Sequence, residues 1–308
     1  MRLVTRSDFD GLACAALLEE LGIATEYLYT HPKDLQDGKI AITPNDVLAN
    51  VPFVEGCGLW FDHHSSEIQR LPHAGKFKGA CEMAPSAARV IYNFYAKEPQ
   101  NAAKLKKFAA MLNEVDKADS ASYTREDILD PQGWMLLAFL SDPRTGMGYT
   151  HTYRIGNFEL MKSLPGMLRS MTIDQILANP DVQERVKTYR ADNEKYKTFL
   201  KETARIAGDA IVLDLRGKKE QPSGNRFMEY TLFPDQNISV RLVDGRKGEF
   251  IMISVGSSII NRTSRVDIGA LMLKHGGGGH KKVGTCQVSP ARADEALKDI
   301  LQTINAKK

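Results

Sequence analysis

The chain has 308 residues and a mass of 34.2 kDa, enough for two ordinary domains, and its 43% hydrophobic and 26% charged content is that of a soluble globular protein. A formal net charge of +3 argues against long duplex nucleic acid as the main ligand, but suits a short anionic ligand held in a local pocket. No apolar run reaches the roughly 18 residues of a membrane span, and Cys14, Cys57, Cys81 and Cys286 lack CxxC spacing and read as reduced core thiols.

The opening MRLVTRSDFDG places charge where an export signal needs an apolar stretch, so the expected location is the cytoplasm. Residues 2–5 read as a buried strand and 11–21 as a helix rich in Ala and Leu. Between them lies Ser7-Asp8-Phe9-Asp10-Gly11. Alternation along an extended chain would send the two carboxylates opposite ways, so they share a site only if the strand has already turned, which Gly11 permits. Capping of the helix by the acidic pair is the alternative use.

Residues 46–51 and 58–61 read as further strands. The second leads into Asp62-His63-His64, an adjacent histidine pair in a chain with only seven histidines. Imidazole and carboxylate together suit a first-row divalent metal; a solvated surface turn is the plainer alternative. Helical patterns follow at 85–97, with Pro85 placed for a first turn, and at 102–115. The latter ends in Glu114-Val115-Asp116-Lys117-Ala118-Asp119, where acidic groups oppose the helix dipole and invite a cation. Strands alternating with helices predict a parallel α/β sheet with its ligands at the carboxyl ends of the strands.

Residues 181–207 read as one long charged helix leading out of the first domain. Beyond it, 210–215, 238–243 and 250–255 read as strands, the last two flanking the turn signal Asp244-Gly245. The expected division is therefore a domain over 1–180, a connecting helix over 181–207 and a smaller α/β domain with a mixed sheet over 208–308. In the latter, His275 precedes the run Gly276 to Gly279, followed by His280-Lys281-Lys282. Consecutive glycines let main-chain N–H groups converge on an anion, and Arg262 can bring a guanidinium to the same phosphate. A basic flexible loop is the alternative.

These four pieces, in this order and over nearly the whole chain, resemble the DHH phosphoesterase superfamily with its associated C-terminal domain. The resemblance implies a Rossmann-like catalytic domain and metal-dependent hydrolysis of phosphoesters. By motif it implies that Asp8, Asp10, His63 and Asp116 hold metal, with Asp119 competing for the place of Asp116. It implies that His64 faces substrate, supported by Asp62, and that Arg262, Gly277, Gly278, Gly279 and His280 grip phosphate. Two positions depart from the family: Arg6 stands where many relatives carry a histidine, and Asn50 where the second motif supplies an aspartate. With Asn50 in the metal set, the expectation is one tightly bound Mn²⁺ and a second, weaker ion, Mg²⁺ being the alternative metal.

The substrate expected from the resemblance and the small charge is a short phosphodiester: a few nucleotides of RNA, or a linear or cyclic dinucleotide. An exopolyphosphatase or nucleotide phosphomonoesterase is the enzymatic rival, and a non-catalytic nucleotide-binding module is the rival of another class. Phe227, Tyr230 and Phe233 are candidates for base stacking, with core packing as their alternative. No membrane partner is expected, and a homodimer is compatible with the sequence.

Overall fold

The apolar runs of the first third become strands buried along nearly their whole length. The computed structural model describes residues 1–70, 76–218 and 221–306. Strands β1 (Arg2–Thr5), β2 (Glu26–Tyr29), β3 (Asp46–Ala49), β4 (Leu59–Asp62) and β5 (Gly79–Cys81) form an all-parallel sheet in the order β2-β1-β3-β4-β5. Consecutive residues of β1, β3 and β4 are buried, so both faces of these strands are covered, and they read as continuous rather than alternating apolar runs. Strand β1 lies between β2 and β3, which makes the crevice at the carboxyl ends of β1 and β3 the switch point where ligands of such sheets gather.

Five helices frame that crevice or its core: α1 (Phe9–Glu20), α2 (Ala87–Tyr95), α3 (Ala109–Asp119), α4 (Gly133–Ser141) and α5 (Asn157–Ser170). Helix α1 packs on α2, α3 and α5 and is buried from Phe9 through Leu18. Gly11 is required there, because a Cβ at this position would lie 2.0 Å from the Arg6 carbonyl oxygen. Two expected helices differ in detail. The one expected over 85–97 begins at Ala87, with Ser86 as its N-cap and Pro85 outside. The one expected over 102–115 is broken by a 3₁₀ turn at Lys106–Phe108 and continues as α3 to Asp119.

By their internal contacts the residues form two units, Met1–Tyr123 with Pro131–Thr188, and Thr124–Asp130 with Tyr189–Lys308. The division falls inside the long helix α6 (Pro180–Thr203) rather than near residue 207. Residues 204–207, expected as the helix end, instead form β6 (Ala204–Ala207), because Gly208 in the left-handed region (φ 64°) turns the chain back to pair antiparallel with β7 (Ala210–Asp214).

The second unit holds a mixed six-stranded sheet that continues with β8 (Ile238–Asp244), β9 (Ile251–Ser257), β10 (Gly278–His280) and β11 (Val283–Val288), ordered β10-β11-β9-β8-β7-β6. Only β7 and β8 are parallel. The turn signal at Asp244-Gly245 does close a β8–β9 hairpin, through a 3₁₀ turn at Arg246–Gly248. Val240, Leu242, Ile253 and Val255 alternate into a core completed by α8 (Ile268–Lys274) and α9 (Ala293–Ala306), while the short helix α7 (Met228–Leu232) lies earlier in the chain. No helix among the described residues is long and apolar enough to cross a membrane.

Candidate metal centre and phosphate site

The ends of β1, β3 and β4 deliver the first unit's charged groups to one place. After β1 the chain turns, and Asp8 becomes the N-cap of α1, its Oδ1 accepting the Gly11 N–H at 3.0 Å. Capping and a role in the site are therefore not alternatives for this residue. Its Oδ1 also accepts from Asn50 Nδ2 at 3.1 Å, and its Oδ2 lies 3.1 Å from Arg6 Nε. Asp10, in the first turn of α1, is buried and accepts the Ala87 and Ala88 N–H groups at 2.9 and 2.8 Å, at the positive end of α2. Burial, followed by the charges of Asp119 and Asp8, still pushes the Asp10 carboxyl well above the usual range, despite those two amides.

Strand β4 ends at Asp62 and turns His63 and His64 toward the same crevice. Nδ1 of His63 is 3.1 Å from the Ala84 carbonyl, which can only accept, so Nδ1 carries a proton and Nε2 is the nitrogen that bears the lone pair in the neutral ring. That Nε2 lies 3.2 Å from Asp119 Oδ2 and 3.9 Å from Asp10 Oδ2, yet it makes no hydrogen bond. His64 Nδ1 is 2.7 Å from Asp62 Oδ1. Burial works against a charged imidazole at His64, but the hydrogen bond and charge of Asp62, joined by Asp119, outweigh it and raise its pKa.

Asp116, given to the metal by motif, is engaged elsewhere. Its Oδ1 accepts from Ser86 Oγ at 2.6 Å and its Oδ2 from Arg89 Nε at 2.8 Å. Asp119, three residues on and one turn along α3, is the carboxylate that reaches Asp10 and His63. Asn50 sits where the second motif would place an aspartate, in the left-handed region (φ 57°) directly after β3, fully buried. Its amide donates to Asp8, and its Oδ1 has no protein partner.

Whether this set fits a divalent ion can be judged from its leftover atoms. Buried polar atoms nearly always find partners, but at the ends of these three strands Thr5 Oγ1, Asn50 Oδ1, Asp62 Oδ2 and His63 Nε2 are all buried and without one. All four can act as electron-pair donors. Beside them, Asp10, His63 and Asp119 bring one ligand atom each within 4.8 Å of one another. Two carboxylates and a neutral imidazole suit a first-row divalent ion, so the residues fit such a metal.

In the second unit, the glycine run is shaped first by packing. Gly276 (φ 75°) follows the end of α8, and a Cβ on Gly277 or Gly279 would meet the Thr285 or Val283 carbonyl oxygen at 2.1 or 2.3 Å. Gly278 differs: nothing lies within 4 Å of its Cβ position, and it is exposed on β10, the edge strand, next to exposed His280. The Arg262 loop is tied to this edge by Ile268 N–H to the Lys281 carbonyl (3.1 Å) and Lys282 Nζ to the Ser264 carbonyl (3.1 Å). Arg262 is exposed, with Nε donating to the Ile259 carbonyl. Phe227 and Tyr230 are buried, the latter hydrogen-bonded to Ser239, so core packing and not base stacking is their role.

No family model matches the chain, and no curated protein does either. Among solved structures, a pGpG-specific phosphodiesterase, PggH, from Vibrio cholerae is 40% identical, with 100% of this chain and 99% of that one covered and a TM-score of 0.84. The chain belongs to the DHH phosphoesterase superfamily. By that membership it is a phosphoric ester hydrolase. More distant likenesses are an exopolyphosphatase-related protein from Bacteroides fragilis (10% identity, 99% of this chain and 92% of that one, TM-score 0.48) and RecJ from Thermus thermophilus in complex with Mn²⁺ (12%, 99% and 52%, TM-score 0.48).

Within the DHH frame, residues that motif reading did not assign also line the centre. Asp142, Arg144 and Tyr123 share its concavity with Asp8, Asp10 and Asp119. The signal that could have pointed to them is Asp142-Pro143-Arg144-Thr145-Gly146, a turn of charged residues directly after the apolar stretch 134–140.

Proposed function

We propose that this chain hydrolyses the phosphodiester of a linear guanylate dinucleotide of the pGpG kind, adding water across the central linkage to release two mononucleotides. The reading is supported by the full-length similarity to a phosphodiesterase of that specificity. The observation that carries the chemistry is the group Asp10, His63 and Asp119, surrounded by unpartnered buried donor atoms.

Asp10, His63 and Asp119 would hold one ion tightly, with Mn²⁺ preferred. Asp8 is already committed to Arg6, Asn50 and the α1 cap, so a second ion would bind more weakly. When bound, such an ion supplies Lewis acidity and a water of lowered pKa. The other roles belong to side chains. Asp62 aims His64 and favours its charged form, so that the ring can offset charge on the phosphoryl oxygens as it builds. Arg262, His280 and the exposed backbone at Gly278 bind substrate phosphate, with Gly277 and Gly279 packed so as to set the course of the loop. The four free cysteines, two of them buried, support a reducing cytoplasm as the place of reaction.

The test is a hydrolysis panel in Mn²⁺ covering pGpG, cyclic dinucleotides, short RNA, polyphosphate and pyrophosphate. Preference for pGpG, lost in EDTA, is expected. Asp10→Asn and His63→Ala should each lower turnover at least about a hundredfold with unchanged circular dichroism. Full activity in metal-stripped protein would refute the reading.

A further inference from the structure

The metal concavity contains one cation that the chemistry above leaves idle. Arg144 lies on its wall with Asp8, Asp10 and Asp119. It is displayed by a rigid turn: Asp142 caps the 3₁₀ segment Pro143–Thr145, and Gly146 ends it in the left-handed region (φ 83°). One oxygen of the buried Asp142 carboxylate accepts both the Arg144 backbone N–H at 2.9 Å and its Nε at 2.7 Å. Backbone and side chain are thereby fixed to a single anchor. Among the described residues Asp142 is the only hydrogen-bond partner of the Arg144 side chain, which leaves the donors on both Nη nitrogens unspent.

Charge and geometry together decide what those donors are for. Arg144 spends only Nε on a carboxylate, that of Asp142, and its Nη atoms close on none of the other acidic neighbours in the concavity. Those carboxylates are taken: Asp8 is held by Arg6, and Asp10 by the amides of Ala87 and Ala88. With one divalent ion bound, the four carboxylates of Asp8, Asp10, Asp119 and Asp142 are balanced by that ion and the guanidiniums of Arg6 and Arg144. A neutralised centre with a free pair of N–H donors can accept an anion without repulsion, and a planar guanidinium matches two phosphoryl oxygens.

We infer that Arg144 binds the non-bridging oxygens of the scissile phosphate, held in position for that contact by Asp142. The inference rests on the phosphodiesterase reading and extends it to a residue outside the family motifs used above. Arg144 touches substrate and is in that sense catalytic; Asp142 acts through Arg144 and is a positioning residue.

The test compares wild type with Arg144→Ala, Arg144→Lys and Asp142→Asn in saturating Mn²⁺. Calorimetry gives the affinity for Mn²⁺ and for inorganic phosphate, and steady-state kinetics on pGpG separate KM from kcat. Arg144→Ala should weaken phosphate binding and lower kcat/KM by roughly 10- to 150-fold, the range for a lost charge-assisted contact, with Mn²⁺ affinity unchanged. Arg144→Lys should fall between, since it keeps the charge and loses the fork; Asp142→Asn should raise KM while leaving metal binding intact. Normal phosphate affinity and kinetics in Arg144→Ala would overturn the inference, as would loss of Mn²⁺ from it. A wild type that ignores pGpG but binds phosphate through Arg144 would remove the proposed substrate and uphold this contact.

Discussion

Asn50 concentrates the chemistry of the site into one side chain. Its backbone N–H bonds to the Phe61 carbonyl at 3.1 Å, tying the end of β3 to β4, and its left-handed conformation is one that Asn and Asp tolerate better than most residues. Its amide donates to Asp8, where a carboxylate would instead repel. Asn50→Asp should therefore convert a donor beside Asp8 into a bridging acceptor. Mn²⁺ titration of the variant should show a second tight site and half-maximal activity at lower Mn²⁺, while its metal-free form melts below wild type. Two tight sites in the wild type would contradict this account. At this scale the sequence was informative where a charged or imidazole side chain follows a strand, as with Asp8, His63 and His64, which the structure brings to one crevice. It could not separate Asp116 from Asp119, because the two lie three residues apart on one helix. In the structure Ser86 and Arg89, which arrive from another helix, occupy Asp116, while Asp119 lies beside Asp10 and His63.

That occupation gives α2 a task beyond packing. Ser86 Oγ caps the helix by accepting the Arg89 N–H at 3.0 Å while donating to Asp116, and the next two N–H groups hold Asp10. Among the described residues Asp116 is thus linked to Asp10 through the N-terminus of α2. Asp116→Asn and Ser86→Ala should each weaken Mn²⁺ binding by about 10- to 100-fold, as outer partners of metal ligands do, whereas Asp119→Asn should abolish tight binding. Ser86→Thr retains both the cap and the hydroxyl donor and should bind like wild type. Loss of all metal in Asp116→Asn, equal to Asp119→Asn, would make Asp116 a direct ligand after all. Among the elements, β1, β3, β4 and the β8–β9 hairpin were legible from apolar runs and turn residues. Strands β2 and β5 were not: both are edge strands only half covered, and β5 is three residues long and starts on a glycine. Strand β6 was hidden because its residues continue the composition of α6, and only pairing with β7 distinguishes it.

For the whole molecule, an acidic centre placed at the switch point of a buried sheet makes stability depend on metal. Asp10 and Asp119 both resist ionising in the free protein, mainly because they are desolvated, with the charge of Asp8 adding to that cost. An ion bound only by the folded form adds about 2.7 kcal/mol at a hundredfold excess over its Kd, which for a unit of this size corresponds to roughly 5 to 11 °C in Tm. Scanning calorimetry with Mn²⁺ and with EDTA should show a difference of that order in wild type and almost none in Asp119→Asn. An equal shift in both proteins would place the stabilising ion elsewhere.

The excursion of Thr124–Asp130 has a consequence for how this molecule can be divided. Those residues form a short helix closed by the Thr124–Asp127 capping box, and the Leu129 carbonyl accepts from Asn193 on α6, at 3.3 Å. The polypeptide therefore visits the second unit, returns to the first and leaves it again. No single scission separates the two: a nick near residue 188 leaves the second unit's own insert on the other fragment. Each fragment would then carry part of the second unit, so an autonomous C-terminal module would have to be built by circular permutation or by grafting the seven-residue insert, rather than by truncation.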